Sequence, residues 1–209
     1  MPGKRFTRFI KLFLLCILAA GANNLVNHLC VFVLKIPLFL DTVFNAAVCF
    51  SVGLIPGIVT ALLTYTGIAF RYSNSGPFVL CSIAEVLLVW RMNPVRFGEP
   101  EAIYLPKAAV ASFVSVLARL ALLYIVCSLA ISILGGAIDY IYYTVLPNSK
   151  LYFTAEDAIK LGLLQNDIPA LAMNILSRIP VNIVDRFIVI FGGYFISLGI
   201  KKWFVVFVV

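Results

Sequence analysis

Two charged residues lie inside apolar runs, where each costs roughly 2.5–3.5 kcal/mol on insertion scales unless it faces a partner or a cavity. Glu85 sits in Ser-Ile-Ala-Glu-Val-Leu-Leu and Arg119 in Val-Leu-Ala-Arg-Leu-Ala-Leu. Either they anchor a ligand, singly or as a pair, or they form a structural ion pair between two antiparallel helices. Asp41 and Asn45 stand one turn apart on a single helix face. At a helix start, Asp41 would complement the dipole; alternatively, with Asn45, it points into an outward-facing cavity. Asn23, Asn24, Asn27 and His28 place four polar side chains in about a turn and a half of an apolar helix, either as interhelical glue or as the lining of a site. Near the C-terminus, Asn182 and Asp185 are expected to point inward, while Arg186 snorkels to the headgroups. The candidate ligand contacts are therefore Asn24, Asn27, His28, Asp41, Asn45, Glu85, Arg119, Asn182 and Asp185. Acids together with an arginine suit a polar or zwitterionic ligand.

Other chemistries find little support. There is no Ser/His pairing, acidic pair on one helix face or metal-ligand spacing, so the chain is not expected to be an enzyme. With His28 the only histidine, and five cysteines isolated in apolar stretches, neither a metal site nor a disulfide framework is expected. No glycine-rich phosphate loop with a lysine occurs, so no cofactor is expected here and any ATP hydrolysis falls to partner subunits.

The elements that must position these residues follow from composition. The 209 residues are 63% hydrophobic and 12% charged, with a mean hydropathy of +1.07. A soluble domain is about half apolar and a quarter charged, so this chain has too little polar surface to cover itself in water. Apolar runs near 20 residues point to membrane helices. A β-barrel would need alternation that the runs lack. The expectation is an all-α, polytopic bundle of six transmembrane helices forming a single domain over 1–209, with lipid as its solvent. The net charge of +7 comes from residues scattered or flanking apolar runs, a topology and headgroup signal rather than a nucleic-acid surface.

Proline and glycine punctuation gives helices near 6–34, 38–52, 57–70, 78–90, 108–134 and 180–200. Gly135-Gly136 is read as ending the fifth. The basic start and the apolar run after it show no clear cleavage pattern, so the first helix is expected to be retained. Between the fifth and sixth helices, Thr154-Ala-Glu-Asp157 resembles a helix start. Leu164, Ile168, Leu171 and Ile175 share a face, predicting an amphipathic interfacial segment kinked at Pro169. With the N-terminus inside, Lys4, Arg5, Arg8, Lys11, Arg91, Arg96, Lys107, Lys201 and Lys202 fall on the cytoplasmic side. Lys35, Arg71, Lys150, Lys160 and Arg178 fall outside, so both termini are expected in the cytoplasm.

Ile36-Pro-Leu-Phe-Leu-Asp-Thr42, an apolar helix and Gly53-Leu-Ile-Pro-Gly57 together resemble the first half of the S components of energy-coupling-factor (ECF) transporters. Arg178-Ile-Pro-Val-Asn-Ile-Val-Asp185, Gly192-Gly193 and Lys201-Lys202 resemble the family's ending. The resemblance implies a six-helix, substrate-binding membrane subunit that captures a vitamin or other micronutrient from outside. It further implies a transmembrane coupling subunit, with two cytoplasmic ATPases driving uptake. Small residues of helix 1, here Cys16 and Ala20, would meet that coupling subunit. The alternative is a membrane sensor module that binds a small ligand and signals to a partner protein; the sequence's ending soon after Lys202 favours the importer.

Overall fold

The computed structural model describes residues 2–36, 38–71, 76–94, 106–145, 159–160, 162–163 and 168–208. The described residues are helical, with no strand among them. Helix α1 (Pro2–His28) runs into a π-helical turn, Leu29–Val33. A non-helical stretch leads to α2 (Val43–Val52), which Gly53 joins to α3 (Leu54–Ala69). Helix α4 (Val79–Met92) is entered through a 3-10 turn at Gly76–Phe78. Helix α5 (Pro106–Asp139) ends in a second π turn, Tyr140–Val145. Helix α6 (Ala170–Phe187), a third π turn (Ile188–Gly192) and α7 (Gly193–Val208) follow one another without a break.

Burial is inverted relative to a water-soluble bundle. Phe6, Phe9, Phe13 and Leu18 stand exposed along α1, Leu18 at 71%, whereas Glu85 and Asp185 are 0% exposed. In water that arrangement would strand large apolar area; in lipid it costs nothing, and the buried polar groups are kept from hydrocarbon. Three stretches, Phe6–Val33, Phe113–Tyr142 and Ala170–Lys202, are long and apolar enough to cross a bilayer. The chain is an all-α, membrane-embedded protein.

The short helices are placed by the same logic. Helix α2 has 10 residues, a rise of about 15 Å against a hydrocarbon core of about 30 Å. It is buried on nearly every side, from Val43 to Ser51, as a helix apolar all round must be. Around it pack α1, α3, α4 and α7, while α5 lies along α6. The core gathers Phe50, Val86, Val89, Leu123, Val189 and Ile190, with Phe50 and Tyr194 edge to face at 5.7 Å. Cys16, Cys30, Cys49, Cys81 and Cys127 are all buried and free, filling space as small apolar side chains do.

The C-terminal part departs from the sequence reading. The last helix begins at Ala170, not after Pro180; Pro169 is its N-cap rather than a kink, and Pro180 lies inside it. The expected interfacial segment is replaced, where it is described, by this helix; Thr154–Asp157 and Leu164 lie outside the described residues. The buried face carries Asn174, Ser177, Arg178, Asn182 and Asp185, while Leu171 is exposed. The polar side is thus the inner one, as a lipid environment favours. Helix α5 likewise runs through Gly135-Gly136 instead of ending there. A Cβ on Gly136 would lie 2.7 Å from the Ile175 Cα, and one on Gly135 2.8 Å from Arg178 Nη1, so the pair lets α6 approach closely.

Candidate functional site

The centre of the site is built from the non-helical stretch before α2 and from α2, α4 and α6. Leu40 has φ +44°, a left-handed conformation costly for a bulky residue. It is held there because Asp185 Oδ1 accepts from the Leu40 and Phe39 amides at 3.0 and 3.2 Å. The Phe39 carbonyl accepts from Asn27 Nδ2 at 3.0 Å. Thr42 is thereby held against Glu85 of α4 and Arg186 of α6, and Asn45 against Asn23 of α1 and Thr64 of α3.

Arg186 is the hub. Its Nη1 pairs with Glu85 Oε2 and donates to Thr42 Oγ1 at 2.9 Å, while Nη2 pairs with Asp185 Oδ2 at 2.7 Å. Thr42 Oγ1 donates in turn to Glu85 Oε2 at 3.3 Å. From α3 the Tyr65 hydroxyl hydrogen-bonds the Asp41 carboxyl.

Beside this hub, Asn23 Nδ2 donates to Asn45 Oδ1 at 2.8 Å and to Thr64 Oγ1 at 3.1 Å, and its Oδ1 accepts from the Phe44 amide at 2.9 Å. Asn23→Ala removes all three bonds inside the bundle and leaves a buried amide unpaired. We expect a loss of about 1–3 kcal/mol, measured as the unfolding free energy in mixed micelles.

A second polar group sits between α5 and α6. Asp139 Oδ2 receives Lys160 Nζ at 3.2 Å and Arg178 Nε at 2.8 Å. The Arg178 guanidinium lies 4.9 Å over the Phe78 ring, a favourable cation–π placement. Asn182 Nδ2 donates to Ser132 Oγ at 3.0 Å. Asn182 therefore belongs to the α5–α6 seam rather than to the Arg186 hub.

Of the residues singled out from sequence, Asn27, Asp41, Asn45, Glu85 and Asp185 come together around the hub. Asn24 is half-buried on the α1–α3 seam, donating to the Ala20 and Thr64 carbonyls and bonded to Arg71. His28 is exposed and packs on Phe32 at 5.0 Å, so it does not point inward. Arg119 is exposed and the partner of Glu85 is Arg186, which overturns the Glu85–Arg119 pairing. Arg186, expected to snorkel, is 5% exposed, because two buried carboxylates hold it. Cys16 and Ala20, expected to face a coupling subunit, are buried at 2% and 5%. Cys16 Sγ contacts the Pro56 carbonyl oxygen of α3, so their small size serves the α1–α3 contact instead. Glu85→Gln and Arg119→Gln should accordingly combine additively, within about 0.3–0.5 kcal/mol, in a double-mutant cycle on unfolding.

Sequence reasoning left Arg186, Thr42, Tyr65 and Thr64 out of the site, along with the Asp139–Lys160–Arg178 group. The available signal was the spacing of Arg178, Asn182, Asp185 and Arg186 along one helical stripe. Four polar residues sharing a face can hardly all leave the bundle interior.

The fold and site define a helical membrane protein with a cluster of charged groups buried in its interior. Compared with protein-family models, curated proteins and solved structures, the chain matches none.

Proposed function

We propose that this chain is the substrate-capturing membrane subunit of an ECF-type importer. It takes a vitamin or similar small micronutrient from the extracytoplasmic side and passes it on through a transmembrane coupling subunit powered by two cytoplasmic ATPases. In this reading six helices form the bundle, the short α2 lies wrapped inside it, and both termini are cytoplasmic. The observation that carries the reading is hydrogen-bond capacity left over in the interior. Glu85 Oε1, Arg186 Nε, Asn45 Nδ2 and Asn27 Oδ1 are buried without a partner. Buried polar atoms are paired in the great majority of cases, and unpaired ones call for a specific explanation. A small polar ligand supplies one. Such a chain brings binding and orientation of its cargo; the energy comes from the ATPases.

The test is purification of the full chain from its native membrane in mild detergent, with mass spectrometry of co-purifying proteins. A coupling subunit and two ATPases are the expected companions. Recovery of a receptor or kinase in their place would replace import with sensing, and recovery of none would remove the importer reading.

A further inference from the structure

Charge and hydrogen bonds, counted separately, lead to the same ligand chemistry. Among the described residues, three carboxyls stand around the Arg186 guanidinium. Glu85 and Asp185 are paired to it, and Asp41 lies within its electrostatic reach. None is more than 6% exposed. Arg178 and Lys160 both pair with Asp139. Across the two groups, three cations stand against four carboxyls, and uncompensated charge inside a protein is costly.

Protonation alone does not repair the Glu85 end. Glu85 commits Oε2 to Arg186 and Thr42, while Oε1 is buried with no partner. A proton on Oε1 would turn a stranded acceptor into a stranded donor. Two further donors, Arg186 Nε and Asn45 Nδ2, are stranded as well. A compact metal ion fits poorly, since no three His, Cys, Asp or Glu side chains among the described residues are grouped to hold one.

We infer, building on the capture function proposed above, that the cargo is a small organic cation that also carries a hydrogen-bond acceptor. Its ammonium or amidinium N–H groups face Glu85 and Asp41. Its acceptor, a carbonyl, ether or ring nitrogen, takes the Arg186 Nε–H or an Asn45 Nδ2–H. The cation supplies the missing positive charge and the acceptor uses the spare donors. A carboxylate-only or phosphate-bearing cargo would add negative charge to a centre already rich in it.

The experiment uses the full chain purified in detergent, denatured to release its small molecules. These are passed over a strong cation exchanger at neutral pH and identified by mass spectrometry. Wild type and the exposed-site control Arg119→Gln should release a common species that the exchanger retains. Glu85→Gln, which removes a charge-assisted hydrogen bond worth more than about 1.4 kcal/mol, should carry at least about tenfold less of it. Should Glu85→Gln fail to run as a monodisperse species in size exclusion, Asp41→Asn replaces it and should show the same depletion. A released species that flows through the exchanger, or one undiminished in the folded variant, overturns the cationic assignment and leaves small-molecule capture standing. Release of no species by wild type overturns both.

Discussion

Arg186→Leu should lower the unfolding free energy by about 3–5 kcal/mol, because removing one member of a buried ion pair leaves the other uncompensated. Here two carboxylates, those of Glu85 and Asp185, lose their cation at once, and Thr42 loses the donor to its hydroxyl. Typical domains hold only about 5–15 kcal/mol in reserve, so this one change consumes a large share of it. Asp185 also pins the Phe39 and Leu40 amides, so the damage will spread to the left-handed stretch before α2. Denaturant titration in mixed micelles measures it. Arg186→Lys should fall between wild type and Leu: an ammonium keeps the charge but cannot present the planar fork that meets Glu85 and Asp185 together.

Gly136→Val is expected to be nearly as harmful for a wholly different reason. A Cβ at this position would lie 2.7 Å from the Ile175 Cα and 2.8 Å from its amide nitrogen. Backbone atoms cannot rotate away as a side-chain tip can, so α5 and α6 must move apart. Overpacking typically costs about 1–3 kcal/mol and occasionally more; a clash against main chain belongs at or above the upper end. Moving α6 also disturbs Arg178 and Asn182, the residues that bind it to Asp139 and Ser132. Gly21→Ala is the matched control. A Cβ there meets nothing within 4 Å, and alanine should raise stability by roughly 0.8–1 kcal/mol through helix propensity alone.

What the sequence discloses, and what it hides, divides along physical lines. Apolar runs identify membrane helices because lipid allows few other backbone solutions. The expected turn over Gly53–Gly57 shrinks to Gly53 alone, and Leu54 to Gly57 form the first turn of α3. A proline is tolerated there because its missing N–H would be unpaired anyway. Asp41, Asn45, Glu85 and Asp185 are legible as interior groups because charge in hydrocarbon must turn inward. Pairing is not legible. Glu85 and Arg119 both lie in apolar surroundings, yet only the arrangement of α4 against α6 brings Arg186, rather than Arg119, to the carboxylate. A clue did exist: Arg119 precedes Ser128 by nine residues, about two and a half turns, which puts it opposite the face that Ser128 and Ser132 bury. Pro180 misleads for a related reason. In water a proline often marks a helix end, whereas in lipid the helix continues because no solvent is present to satisfy broken bonds. Gly135-Gly136 looks like a helix stop until a neighbouring helix is seen to need that space.

The proposed site requires Glu85 and Arg186 to behave as a single buried unit. A double-mutant cycle of Glu85→Gln and Arg186→Gln, read as unfolding free energy in mixed micelles, measures this directly. Each single change should be severe and the double change far milder than their sum, giving a coupling of about 1.5–3 kcal/mol. Coupling within about 0.5 kcal/mol of zero would mean that the two charges do not meet inside the bundle, and the site built around them would not exist.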